Sequence, residues 1–258
     1  MGSGGYVIHS SVIIDPSAKI ASDVTIGAYS IIGPGVEIGR GTVIGAHVQL
    51  VKNVKIGEYN QISAYSVLGG DPAHRMHQPE DETYLIIGNH NVIHEYAVFH
   101  RGAKVCGGVT RIGDYNYIMC YVHIGHDSQV MSHTTFVNNV NIAGSVVIED
   151  YAYMGAYSFC FQRTRVGSSA MLTPRMMVSR NILPYMIVKE DQVCGVNRIG
   201  MQRRGYSEEQ ISRVKSLYKV ICREKLLLTE VKAKLVQSED VFAHEFLAFF
   251  NHGSFLRK

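Results

Sequence analysis

The chain has 258 residues, 46% apolar and 18% charged, with 25 Gly, 6 Pro, no Trp and a formal net charge of +3. Its length allows a real core, and its composition excludes intrinsic disorder and collagen. The small charge gives no case for nucleic acid as a partner. Met1-Gly2-Ser3-Gly4-Gly5 carries no pattern and is set aside. Then a clock begins. An aliphatic residue returns every six positions at Ile8, Ile14, Ile20, Ile26, Ile32, Ile38, Ile44, Leu50, Ile56, Ile62 and Leu68. Gly often follows it, and a small or branched residue stands two positions before it, as at Val24, Ser30, Val36 and Thr42.

A helix repeats every 3.6 residues and a plain strand every two, so a period of six fits neither. It fits short strands joined by tight corners, with three strands making one triangular coil. The clock residue and its i−2 neighbour then face inward, on copies about 4.8 Å away. The glycines are expected to turn the corners through positive φ.

Residues 69–86 interrupt the clock with a polar, His-bearing stretch that reads as a functional loop. The pattern resumes at Ile87, Ile93, Phe99 and Val105. One residue is then inserted near 106–109, read as a bulged corner. A second run goes from Ile112 through Ile118, Ile124, Phe136, Ile142, Met154 and Cys160 to Val178, and stops at Pro184. The 27 clock positions make nine coils. Beyond them, Ser207-Glu208-Glu209-Gln210 is a capping box, followed by the stripe Ile211, Val214, Leu217, Tyr218 and Ile221. Thr229 and Ser238 read as further N-caps, and the last helix is expected to end near Gly253. The expected fold is an all-β solenoid over 6–189, with the 69–86 loop, followed by a small α-helical part over 190–258.

Positions 18 apart lie in one column. His126, Gly144 and Gln162 are such a column, Asp127, Ser145 and Arg163 the next, and His123, Asn141 and Phe159 another. A His beside a carboxylate can take a proton from a hydroxyl at neutral pH. A Gly without a side chain lets its N–H approach a carbonyl oxygen. Other readings stay open on spacing alone: a purely structural solenoid, or a zinc enzyme of the γ-carbonic-anhydrase kind with His100, His123 and His126 as ligands.

The motifs His123-Ile-Gly-His126-Asp127, Asn138-Asn139, Ala143-Gly144 and Phe99-His100-Arg101-Gly102 are followed in order by Gly195-Val196-Asn197 and Gly200-Met201-Gln202-Arg203-Arg204-Gly205-Tyr206. Together they resemble the acyl carrier protein–UDP-N-acetylglucosamine O-acyltransferase family, which opens lipid A synthesis. The resemblance implies a left-handed β-helix and a homotrimer with sites between chains. It implies His126 as general base, Asp127 as its orienting carboxylate, and Gly144 as amide donor to the thioester oxygen. His123 would assist substrate binding, and Gln162, Asn197, Arg203 and Arg204 would line the nucleotide-sugar site. It implies no cofactor or metal, only a carrier-linked thioester as co-substrate.

The chain departs from the family where His74 and Met76 replace an expected Asp and Lys, at Ser145, and at Phe161. Those positions leave open a related enzyme acting on another nucleotide sugar, with coenzyme A as an alternative donor. Residues 160–204 carry eight Lys or Arg against Glu190 and Asp191, a +6 segment suited to an acidic carrier protein or a pyrophosphate. Five cysteines form no CxxC pair and are odd in number, which suggests a reducing, cytoplasmic compartment. No apolar run long enough to cross a bilayer and no basic-then-apolar leader appears, so neither a membrane span nor a secretory signal is expected.

Overall fold

The computed structural model describes residues 7–224, 226–250 and 256. From Ile13 to Val178 the chain winds through strands of two to four residues. They stack into three sheets of nine, eight and ten strands. Sheet I starts at Ile13–Ile14, sheet II at Lys19–Ile20 and sheet III at Thr25–Ile26. This is the expected left-handed parallel β-helix of triangular section. Each strand pairs with the third one after it, one coil on, as in Ile14↔Ile32 and Ile38↔Ile56. The clock residues from Ile26 on are almost fully buried, each burial contributing about 1.5–3 kcal/mol. Ile8 and Ile14 remain 44% and 38% exposed, with no coil beneath them among the described residues.

Most inward polar groups are satisfied along the stack, the Asn116 Nδ2 being an exception among the described residues. Ser30 Oγ donates to the Gly45 carbonyl and Thr42 Oγ1 to that of Gly57. Asn60, Asn91, Asn116 and Thr134 form a ladder, each side-chain oxygen of the three Asn accepting the backbone N–H of the next residue up. An unsatisfied buried amide would cost about 1–3 kcal/mol, so the ladder lets polar side chains occupy core positions.

The corners correct one expectation. Left-handed φ values fall three residues after the clock residue, mostly at Tyr, His and Asn: Tyr29, His47, Asn53, Tyr65, Tyr96 and Tyr121 among them. Gly35 and Gly41 do turn corners through positive φ, and Gly69 after Leu68 has φ 78°, but the other early glycines directly after the clock serve close approach instead. A Cβ on Gly27 would lie 2.6 Å from the Ala46 nitrogen, and one on Gly39 2.6 Å from the Gly57 oxygen. The aromatic corner residues stack in columns. Tyr29, His47, Tyr65, Tyr96 and Tyr121 run up the III/I corner with ring centroids 4.8–5.3 Å apart. Tyr59, His90, Tyr115, His133 and Tyr151 do the same at the II/III corner. Stacking of about 0.5–1.5 kcal/mol per pair is of the same order as the left-handed backbone cost, about 1–2 kcal/mol.

Register also locates the insertions. Leu68 pairs with Phe99, where an uninterrupted coil would pair it with position 86, and the excess is the first insertion. Ile87 pairs with Ile112, where an uninterrupted coil would reach position 105. The second insertion is therefore longer than the single residue expected, and Val105 is not a clock residue. It lies 54% exposed in the 3-10 turn Lys104–Cys106. The second loop closes on itself so tightly that a Cβ on Gly102 would fall 2.0 Å from the Gly108 carbonyl carbon. Both insertions follow a strand of sheet I and leave from the I/II corner.

At the far end, Met186–Lys189 joins sheet III and Gln192–Val196 folds back against it. The helices follow: α1 (Arg198–Arg203), α2 (Glu208–Cys222), α3 (Leu228–Val236) and α4 (Val241–Phe249). The hairpin thus occupies the start of the stretch expected to be helical. Ser207 and Gln210 form the anticipated capping box. Thr229 lies inside α3, whose first turn is closed by Glu230 accepting the Leu227 N–H, and Asp240 rather than Ser238 caps α4. Gly253 lies outside the described residues. The α4 rings of Phe242 and Phe246 meet Tyr185 of the last coil, whose hydroxyl donates to Glu245 at 2.7 Å. The helices therefore close the upper end of the stack.

Candidate active site

The I/II corner gathers the chemistry. His126 and Asp127 follow the clock residue Ile124, and both are buried, Asp127 in the left-handed conformation. The second insertion wraps around them. Asp127 Oδ2 accepts the Ala103 N–H at 2.9 Å and Oδ1 accepts that of Gly108 at 2.8 Å. His126 Nδ1 lies 2.7 Å from Asp127 Oδ2. Burial alone pushes the Asp127 carboxyl up, but the bonds from His126 and the two amides outweigh it and hold the group below its ordinary value. The carboxylate is thus an acceptor only, which places the imidazole hydrogen on Nδ1 and leaves Nε2 as the basic nitrogen.

Gly144 sits one coil above. A Cβ there would lie 2.6 Å from both Cε1 and Nε2 of His126, so only glycine lets the ring lie across this corner. The Gly144 N–H has no acceptor among the described residues, while its carbonyl accepts from Arg163 and the His126 carbonyl accepts from Ser145. The ring of His74, on the first insertion, meets His126 edge-on at 5.3 Å. His123 lies one strand position before Ile124, paired with Asn141, and its ring meets His100 at 5.1 Å. Gln162 is the next step of the column and is exposed. The structure thus brings His74, His123, His126, Asp127 and Gly144 together at one corner.

Desolvation, then the neighbouring His123 and His126, lower His100 from 6.5 to about 4, against a raising effect of Asp71. A histidine kept neutral on folding contributes stability above its unfolded value and loses it as pH falls toward its folded one. The unfolding free energy should therefore decline between pH 6.5 and about 4. Denaturant titrations across that window should show a shallower decline in His100→Gln. An equal decline in both proteins would rule His100 out as its source.

Arg101, read from the sequence only as part of a motif, has a positioning role at this corner. It is 1% exposed; its Nε donates to Thr83 Oγ1 at 3.0 Å, its Nη1 to the Gly69 carbonyl at 3.1 Å, and its Nη2 pairs with Asp71. It ties both ends of the first insertion to the corner below His126, which positions His74. The available signal was a charged residue two past a clock position, in the column of His126.

Asn197, Arg203 and Arg204 lie elsewhere in the same chain. They line a cleft of about 830 Å³ over sheet III, with Tyr153, Met171 and Ile187 as its floor. Asn197 is committed to the backbone: its Oδ1 accepts the Gly200 N–H and its Nδ2 donates to the Ser169 carbonyl. Arg204 lies over the Tyr151 ring at 4.6 Å and donates to the Tyr151 carbonyl. Sheet III faces away from the I/II corner, so one chain does not bring this cluster to His126. In the +6 segment, Arg165, Lys189 and Arg198 pair with Glu149, Glu190 and Glu208. Arg163, Arg175, Arg180 and Arg203 are exposed. The His100, His123 and His126 nitrogens do not form one of the ligand groups that converge within 4.8 Å among the described residues. No helix among them is long and apolar enough to cross a membrane.

Comparison with known proteins agrees with this architecture. A family model described as UDP-N-acetylglucosamine O-acyltransferase, domain 2, matches residues 181–257, and a bacterial transferase hexapeptide model matches 5–40 and 35–70. The acyl-[acyl-carrier-protein]–UDP-N-acetylglucosamine O-acyltransferase of Thiobacillus denitrificans is 45% identical over 230 residues, covering 88% of this chain and 89% of the relative. That of Herminiimonas arsenicoxydans is 41% identical over 236 residues, covering 91% and 90%. The crystal structure of Francisella novicida UDP-N-acetylglucosamine acyltransferase superposes with a TM-score of 0.93 at 35% identity, over 95% of this chain and 91% of that one.

Proposed function

The chain belongs to the UDP-N-acetylglucosamine O-acyltransferase family, and from that premise we propose that it moves an acyl group from acyl carrier protein to the 3-hydroxyl of UDP-N-acetylglucosamine, the first step of lipid A synthesis. The observation that carries the mechanism is the His126–Asp127 pair lying across Gly144, with Nε2 and the Gly144 N–H both unclaimed among the described residues. Nε2 takes the hydroxyl proton as the sugar oxygen attacks the thioester carbonyl. The oxyanion accepts the Gly144 N–H. Collapse breaks the carbon–sulfur bond, and the carrier thiol leaves with the proton returned by His126. Asp127 keeps the Nδ1 hydrogen in place throughout. General-base help contributes about 10²–10⁴ in rate and one oxyanion donor about 10²–10³.

Substrate contacts extend the same reading. His74 and His123 flank the reacting hydroxyl, and Gln162 continues the column above Gly144. Arg203 and Arg204 supply cations for the pyrophosphate, and Asn197 fixes the start of α1 beside them. Because these tail residues lie over sheet III, a homotrimer in which one chain's sheet III cleft faces its neighbour's I/II corner would complete each site. The exposed Arg163, Arg175 and Arg180 suit an acidic carrier. The reaction uses no cofactor beyond the carrier thioester and takes place in the cytoplasm.

Mass spectrometry of products tests this directly. Offered several nucleotide sugars with carrier-linked or coenzyme A-linked 3-hydroxyacyl chains, the protein should form one ester with UDP-N-acetylglucosamine and prefer the carrier. Acylation of a different nucleotide sugar, with none on UDP-N-acetylglucosamine, would replace the reading with the alternative substrate.

A further inference from the structure

We propose that His94, Glu95 and Cys120, at the III/I corner, form a binding site for a borderline-soft divalent metal ion of the zinc class. One donor atom from each lies within 4.8 Å of the other two. The Cys120 thiol donates to Glu95 Oε2 at 3.2 Å, a proton that a metal would replace, and His94 Nδ1 is 3.8 Å from the same oxygen. Donors bound tetrahedrally to zinc are about 3.3–3.5 Å apart, given bond lengths near 2.0–2.3 Å. The observed spacing therefore needs only small side-chain adjustments. At 3.8 Å the Nδ1–carboxylate contact is too long for a hydrogen bond, so that nitrogen is not otherwise used by its neighbour.

A separate contact also points to a ligand. His94 Nε2 lies 3.0 Å from the Tyr117 hydroxyl, and the rings meet edge-on. With Nε2 donating to that hydroxyl, the ring is oriented and Nδ1 is left free for the ion, the service an outer hydrogen bond gives a metal-bound imidazole. The scaffold is rigid: the Glu95 carbonyl accepts the Tyr121 N–H and the Cys120 carbonyl accepts the Asn139 N–H, both at 3.0 Å. The donors come from two successive coils and are half-buried, leaving a fourth position for water. A nitrogen, oxygen and sulfur set selects zinc-like ions over magnesium or calcium, which prefer oxygen alone. Binding replaces the Cys120 thiol proton, which is released to solvent.

Cys106, His126 and Asp127 form a second convergent group, at the proposed active site. There both Asp127 oxygens already accept backbone amides, and one also meets His126 Nδ1, so a metal would have to break those bonds. That group is the natural control. The metal-stripped full chain is titrated with Zn²⁺ against a chromophoric chelator, and with Co²⁺ while recording absorption. One ion should bind per chain, with a thiolate-to-cobalt charge-transfer band. Affinity should fall about tenfold or more in Cys120→Ser and His94→Gln and stay unchanged in Cys106→Ser. The His94 side chain is 30% exposed, so His94→Gln keeps the test open if Cys120→Ser fails to fold. Absence of binding, binding that survives both corner variants, or binding lost in Cys106→Ser overturns the proposal.

Discussion

His126→Ala is expected to lower kcat by about 10²–10⁴ with little change in KM, because it removes the nitrogen that accepts the hydroxyl proton. The fold should survive. Asp127 still accepts the Ala103 and Gly108 amides, so the second insertion stays closed around the corner. Steady-state kinetics with a melting curve and a mass measurement of the assembly separate lost chemistry from lost structure. Near-normal turnover would remove His126 from the mechanism. The same variant tests the shared site. Arg204→Ala should raise the nucleotide-sugar KM, and mixed assemblies of the two variants should recover activity at those interfaces that hold both native residues. If mixing restores nothing, His126 and Arg204 do not act across a chain boundary.

Gly144→Ala is the second large effect, and its cause is steric. The new Cβ would sit 2.6 Å from the His126 ring, and the ring is held by Asp127 at 2.7 Å on its other side. Either the ring or the coil must shift. A displacement on the order of 1 Å at a reacting centre costs about 10² in rate, so a loss of that size is expected although the backbone N–H is retained. The loss should appear in kcat and leave the melting temperature nearly unchanged, since the strain falls on a side chain at a corner. A kcat within about threefold of the native value would show that the ring has another place to go and that its position over Gly144 is not required.

The clock made most of the solenoid legible because an inward position tolerates little besides a bulky aliphatic every sixth residue. Column arithmetic followed from the same period, and it put His126, Gly144 and Gln162 in line. What it missed were features that depend on register across an interruption. Val105 fits the clock by identity, yet the second insertion carries it outward. The role of Gly27, Gly33, Gly39 and Gly45 was misread because sequence shows that a side chain is missing but not what fills the space. Here the next coil's backbone fills it. Arg101 stood in a quoted motif without a role because its partners, Thr83, Gly69 and Asp71, lie a full coil or more away in sequence, across the insertion. The local bonds of Asn197, to Gly200 and Ser169 beside the sheet III cleft, were equally beyond reach, since Ser169 lies 28 residues away on another coil.

The regular spacing of strand partners bears on how the molecule assembles. Most partners are one coil apart, about one-fourteenth of the chain length, or ~0.07 as a relative contact order. That is the range of helical bundles rather than of β-sandwiches, whose distant pairings slow the search for native structure. Each new coil needs only the one before it as a template. Folding can therefore proceed by zippering outward from any nucleus of two or three coils. The steps that close the long insertions, at Leu68↔Phe99 and Ile87↔Ile112, are where loop entropy is highest and where the zipper would pause.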